Sequence, residues 1–337
     1  MIRLQCVGLY ASDFSGGGTR LGDAQILSCG SVHLVIDGYC EKGADRLISV
    51  LKERNIVRLY VAVSHPHYDH YEGIKRIIRD PYFTVIKLFV PNPESYGDVS
   101  GEVRSNKQAL RNIVAEAKNK DIPVSYLRNE QNVKLGGIRF TVYQDTTCRF
   151  DGNSEGYVND RSLAFWFYEL SYLTTGDAGM WAVQAYNLKP KWIKCGHHGN
   201  NIGTNSIKPS QMAPRLKKNG CLYYWDNDYS TKLTDFLMTG REDAQNAGMI
   251  ILGIHGDINA VFFSKRAVIY KDGNIYRYAC SYTGKANLKS ADLSIVKTVL
   301  AGKAGAGDAR ISYLLNKGYN SGAVQKEVTE IVKLIKG

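Results

Sequence analysis

Several absences narrow what this chain can be. No apolar run approaches the roughly 20 residues that cross a bilayer, so no transmembrane segment is expected. Seven cysteines, an odd number without a Cys-x-x-Cys pair, do not read as a disulfide framework; they suit small core positions in a reducing compartment. The opening Met1-Ile2-Arg3-Leu4-Gln5-Cys6-Val7 lacks the apolar core and small-residue cleavage site of a signal peptide and reads as a first strand. The expected location is therefore the cytoplasm, or release without a signal peptide in the manner of phage enzymes. Acidic residues are in deficit: 32 Asp and Glu against 43 Lys and Arg leave a formal charge of +11. That balance suits a polyanionic partner, nucleic acid or a phosphate-rich polymer, with a basic host proteome or simple solubility as the alternative. Basic residues are spread out, as in Lys107, Arg111, Lys118 and Lys120 on one expected helix, rather than gathered in one run.

Histidine is scarce as well, seven in 337 residues, and three of the seven fall in Ser64-His65-Pro66-His67-Tyr68-Asp69-His70. The stretch before it, Val57 to Val63, is apolar and β-branched and reads as a buried strand. Pro66 disfavours helix at His65 and promotes a turn, and a helix is expected from Gly73. A strand, a tight turn and a helix start would converge three imidazoles and Asp69 on one point. Neutral imidazole and carboxylate are the donors zinc prefers, and two such clusters can hold two ions.

The His-x-His-x-Asp-His spacing resembles the metallo-β-lactamase superfamily, and further pieces of that pattern follow in order. Val32-His33-Leu34-Val35-Ile36-Asp37-Gly38 looks like its strand ending in Asp-Gly, whose Asp braces the metal loop. Ser162 to Phe167 and Ser171-Tyr172-Leu173-Thr174-Thr175-Gly176-Asp177 look like its paired strands ending in Thr-Gly-Asp, whose Asp bridges two metals. Lys194-Cys195-Gly196-His197-His198-Gly199 is similar to the hydrolase domain of the DNA-uptake channel protein ComEC, and to phosphorylcholine esterases acting on teichoic acids. The resemblance spans about residues 1 to 280. It implies metal ligands at His65, His67, Asp69, His70, Asp177 and His197, with zinc, one or two ions, or manganese. Where most members carry a ligand His before the strand at Ser162, this chain offers Asp160, with Asn159 as the alternative. In place of a late His it offers Asp226 or Asp228, unless His197 and His198 complete the site. His255, before Gly256-Asp257, is read as a hydrogen-bonded turn residue, with a late ligand as the alternative.

The chemistry implied is attack by a metal-activated water. Asp69 would serve partly as base, and Lys194 with the free histidine, His198, would steady a phosphate oxygen. Three functions follow: a phosphodiesterase or nuclease, an envelope enzyme cleaving teichoic-acid or choline phosphodiesters, or a non-enzymatic wall-binding protein with a degenerate centre.

The expected architecture is an α/β four-layer αββα sandwich over residues 1–282. A linker at 283–291 and a small three-helix domain at 292–337 follow. Asp292 and Asp308 are expected caps, and Val324, Val328, Ile331, Val332 and Ile335 share one helical face. Val299 to Lys303, Gly305 to Arg310, Leu314 to Tyr319 and Val324 to Val328 resemble the small cell-wall-binding repeats of lysozymes and amidases, which implies contact with peptidoglycan; a helical cap is the structural alternative. The polar segment 145–160 is expected to be a loop overhanging the site.

Overall fold

The computed structural model describes residues 2–7, 22–179, 185–194, 196–199, 209–218, 220–221, 223–225, 250–251, 257–263, 266–271, 274–279, 293–317 and 319–336. The chain divides into two compact units, Met1–Ile258 and Asn259–Gly337.

In the first unit one sheet runs β1 (Ile2–Cys6), β2 (Gln25–Cys29), β3 (Val32–Ile36), β4 (Arg58–Ala62), β5 (Thr84–Pro91), β6 (Val124–Leu127). It is antiparallel through β3 and parallel from β3 to β6. The second sheet runs β7 (Gln131–Leu135), β8 (Ile138–Tyr143), β9 (Ala164–Phe167), β10 (Tyr172–Thr174), β11 (Trp192–Lys194), β12 (Tyr223–Trp225), β13 (Ile250–Ile251), and is parallel from β10 onward. The sheets meet face to face, with the Phe89 ring edge-on to Phe140 at 6.4 Å.

Helices α1 (Glu41–Glu53), α2 (Tyr68–Arg79) and α3 (Gly101–Asn119) bury Leu47, Ile74, Ile77 and Ile113 in one cluster with Val35, Val61 and Leu88 of the first sheet. Each such aliphatic side chain contributes about 1.5–3 kcal/mol of transfer free energy. These are the layers expected from the alternation of elements. Helix α5 (Pro209–Lys218) carries Pro214 inside it.

Three local outcomes differ from expectation. Helix α2 begins at Tyr68, not Gly73, because His67 is extended at its N-cap and Asp69 in the first turn meets the positive end of the helix dipole. The segment 145–160 is not all loop: Asn153 caps α4 (Ser154–Asp160), its Oδ1 accepting the Gly156 N–H at 3.0 Å. Strands β2, β6 and β7 were not anticipated, although Gly136-Gly137 between the alternating runs of β7 and β8 is a hairpin signal. The expected 283–291 linker lies outside the described residues.

The second unit contains the antiparallel strands β14 (Ile258–Phe263), β15 (Arg266–Lys271) and β16 (Asn274–Ala279). Helices α6 (Leu293–Leu300), α7 (Gly307–Asn316) and α8 (Ser321–Lys336) close a small core of Val296, Val299, Leu314, Val324, Val328 and Ile331. Asn320 caps α8, its Oδ1 accepting the Ala323 N–H at 3.0 Å. Asp308 sits in the first turn of α7, and Asp292 lies outside the described residues.

Candidate metal centre

The parallel strands β4, β10 and β11 all end on one side of the first unit, and the loops leaving them carry the candidate ligands: His65, His67, Asp69 and His70 after β4, Asp177 after β10, His197 after β11. The carboxyl ends of parallel strands are where α/β sheets place ligands, because the loops there diverge and leave a crevice.

Asp37 organises the first of these loops. It leaves β3 with a left-handed φ of 59° and is fully buried. Its Oδ1 accepts the Ser64 N–H at 2.7 Å, and its Oδ2 accepts the Ser64 hydroxyl at 2.7 Å. The same Oδ2 lies 3.0 Å from His70 Nδ1. Since Ser64 spends its only proton on Asp37, its oxygen accepts from His65 Nδ1 at 2.9 Å. Both His65 and His70 are thereby held with the proton on Nδ1 and Nε2 turned inward, the orientation a ligating imidazole needs.

Tight backbone contacts hold the loops in register. A Cβ on Gly73 would lie 1.8 Å from the Gly38 carbonyl oxygen, and one on Gly176 (φ +54°) would lie 2.6 Å from Ser64 Oγ. Neither position accepts a side chain without moving the metal loop.

Inside, His65 Nε2 lies 3.1 Å from His67 Nδ1 and 3.7 Å from Asp177 Oδ2. His70 Nε2 lies 3.2 Å from Asp177 Oδ1 and 3.9 Å from Asp69 Oδ2, and His197 Nε2 is 3.8 Å from Asp177 Oδ2. Two donor groups result, each with its ligand atoms within 4.8 Å of one another: His65, His67 and Asp177, and Asp23, His70 and Asp177.

Burial, with repulsion from His70, pushes His65 well below the ordinary histidine range, and burial lowers His67 too, so both are neutral at pH 7. Burial also opposes charge on His70, but Asp177, Asp37 and Asp69 outweigh it and hold its pKa well above the ordinary value.

The residues fit divalent metal on two grounds. Neutral imidazoles 3.1 Å apart face each other with nitrogens that only a proton or a cation can reconcile. Four carboxylates, Asp23, Asp37, Asp69 and Asp177, are at most 4% exposed, and Lys194 is the one lysine joined to them among the described residues. Buried carboxylates in such excess call for cations.

The remaining expected site residues are placed as follows. Asn159, in the last turn of α4, brings its Nδ2 to 3.4 Å from His197 Nε2, and its buried Oδ1 has no hydrogen-bond partner among the described residues. Asp160, the next residue along α4, is fully buried. Glu155, one turn earlier, stands 4.0 Å from His197 Nε2. Lys194 is fully buried and donates to Asp23 Oδ2. The His198 side chain, Asp226, Asp228 and His255 lie outside the described residues. Sequence reasoning passed over Asp23 and Glu155. The Gly22-Asp23-Ala24 run ahead of β2 was the available signal for Asp23, while Glu155 sat in a segment read as loop.

Residues 294–332 match a family model described as the CW_7 repeat. No curated protein matches the chain. Among solved structures the chain is similar to the metallo-β-lactamase fold protein YhfI from Bacillus subtilis, at 13% identity over 77% of this chain and 99% of that one, with a TM-score of 0.50. Lower similarity links it to the B3 metallo-β-lactamase BLEG-1 (17% identity, 52% of this chain, 71% of that chain, TM-score 0.33). The rubredoxin oxygen:oxidoreductase of Desulfovibrio gigas is similar at 13% identity (73% of this chain, 60% of that chain, TM-score 0.38). With YhfI matched over nearly its whole length, the chain has the metallo-β-lactamase fold, followed by C-terminal helices that match the CW_7 repeat.

Proposed function

We propose that this chain is a metal-dependent hydrolase of phosphodiester bonds, with nucleic acid as its first substrate class. The observation that carries the reading is the pair of donor groups sharing Asp177. A divalent ion bound there supplies a water-derived nucleophile near neutral pH and Lewis-acid polarisation of a phosphoryl oxygen. His65, His67 and Asp177 would hold one ion. His70 and Asp177, with Asp69 beside them, would hold a second, and His197 would close the shell. Imidazoles suit zinc and carboxylates suit manganese. Asp69, in the first turn of α2 and 4% exposed, is the proposed proton acceptor, and His198 the proposed contact to a phosphate oxygen. Lys194 is assigned to Asp23 rather than to substrate. The +11 charge supports a polyanionic substrate.

The fold alone hosts many chemistries. One observation favours a second substrate class: the CW_7 match at 294–332 supports a wall polymer, teichoic acid or its choline esters, with the tail in contact with peptidoglycan.

The test is metal content with a substrate panel of single- and double-stranded DNA, RNA, cyclic nucleotides and teichoic acid. Cleavage of nucleic acid that needs metal and vanishes in His67→Ala and Asp177→Ala supports the first reading. Release of choline or glycerol phosphate with inactivity on every nucleic acid replaces it with the second. Full activity in metal-free protein refutes both, and peptidoglycan binding without metal or hydrolysis favours a non-enzymatic wall-binding protein.

A further inference from the structure

Asp23 lies outside the His-x-His-x-Asp-His run and outside the Thr-Gly-Asp turn, yet the fold brings it to the same point. The preceding Gly22, at φ +84°, is pressed so closely on the metal loop that a Cβ there would lie 1.5 Å from the Asp69 carbonyl oxygen. The Asp23 backbone is held from the other side, its carbonyl accepting the Tyr39 N–H at 3.0 Å, and its side chain is fully buried. A carboxylate fixed this firmly has its direction set before any ligand arrives. That direction is toward His70 and Asp177, whose ligand atoms and its own all lie within 4.8 Å of one another.

Lys194 is the complement. It reaches in from the end of β11, is fully buried, and donates to Asp23 Oδ2. A carboxylate with two oxygens can accept from an ammonium and face a cation as well. The lysine lowers the cost of keeping Asp23 ionised beside Asp177, where two close carboxylates would otherwise repel.

We propose that Asp23 is a ligand of a second divalent ion, completing with His70 and Asp177 a subsite joined through Asp177 to that of His65 and His67, and that Lys194 is its positioning residue. This rests on the metal-dependent reading above and makes the centre dinuclear by a carboxylate from the β1–β2 connection. The set of one imidazole and two carboxylates is richer in oxygen than the His65 and His67 subsite, so the second position is expected to discriminate less strongly against manganese than the first.

The experiment compares the full-length wild type with Asp23→Asn and with the double variant Asp23→Asn, Lys194→Met. Asparagine keeps the volume and an acceptor for Lys194, and the double variant removes both buried charges together. Each protein is loaded with manganese, dialysed, and read by metal analysis and by electron paramagnetic resonance; circular dichroism of the metal-free forms establishes which variants fold. The expected result is two ions with an exchange-coupled spectrum in the wild type, and a halved content with a mononuclear six-line spectrum in whichever variant folds. Two ions and an unchanged coupled spectrum in that variant would overturn the proposal while leaving the metal-dependent reading standing. A single ion in the wild type would do the same. A wild type that binds no ion would overturn both.

Discussion

Removing the Asp37 carboxylate is the sharpest perturbation of the centre that touches no ligand atom directed at metal. Asp37→Ala leaves the Ser64 N–H, the Ser64 hydroxyl and the His70 Nδ1–H, all fully buried, without their acceptor. Each stranded donor costs about 1–3 kcal/mol, so the three together cost about 3–9 kcal/mol. Alanine at φ 59° adds roughly 1–2 kcal/mol, because its Cβ crowds the following carbonyl in the left-handed region. The sum is a large share of the about 5–15 kcal/mol that holds an ordinary domain folded. Asp37→Asn separates the two roles. It tolerates the same φ and keeps an acceptor for Ser64, but it removes the charge facing His70. Its expected cost falls instead on metal affinity, by about 10–100-fold, as for other residues that orient a ligating histidine. Urea unfolding of the metal-free proteins followed by circular dichroism measures the first quantity, and titration against a competing chelator the second. Asp37→Ala within about 0.5 kcal/mol of wild type, the range of a surface substitution, would refute the reasoning. So would Asp37→Asn with wild-type affinity.

Other outcomes follow from the same geometry. Because His70 is held well above its ordinary pKa, its charge stabilises the metal-free fold fully below about pH 6.5, and that contribution is lost as pH rises through its folded value. Metal must displace that proton, so calorimetry at pH 7 in buffers of different ionisation enthalpy should show about one proton released per His70 site; identical heats in all buffers would contradict this. Gly73→Ala, which forces a Cβ to 1.8 Å from the Gly38 carbonyl, should shift α2 and lower both stability, by about 1–3 kcal/mol or more, and metal affinity, although residue 73 touches no ligand; unchanged affinity would show that the helix start does not set the loop. Burial pushes the Cys148 thiol up to about 11, so mapped iodoacetamide labelling of the native protein at pH 8 should spare it until denaturant is added. Rapid native labelling of Cys148 would contradict its burial.

Much of the centre was legible in the chain itself. Three of seven histidines packed into six residues, with a β-branched run ahead and a helical pattern behind, sufficed to place the candidate metal-binding loop at a strand's end. Local chemistry of that kind needs only the strand and turn to form, and both are short-range events. The layers were legible too, since alternating apolar strands and amphipathic helices have few ways to bury their faces together. So was the tail, whose apolar residues recur on one helical face.

Tertiary structure decided what depends on contacts distant in sequence. That α4 forms within a polar segment, and brings Asn159 to His197, follows from Asn153 capping and from packing that buries Gly156 to Asp160. The proton positions on His65 and His70 come from one carboxylate about thirty residues away, a distance no local pattern encodes. Lys194, read from its neighbourhood to His197 as a substrate contact, is instead drawn to Asp23, 171 positions earlier in the chain. A buried charge takes whichever opposite charge the packing of two sheets supplies, and only the closed fold determines which that is.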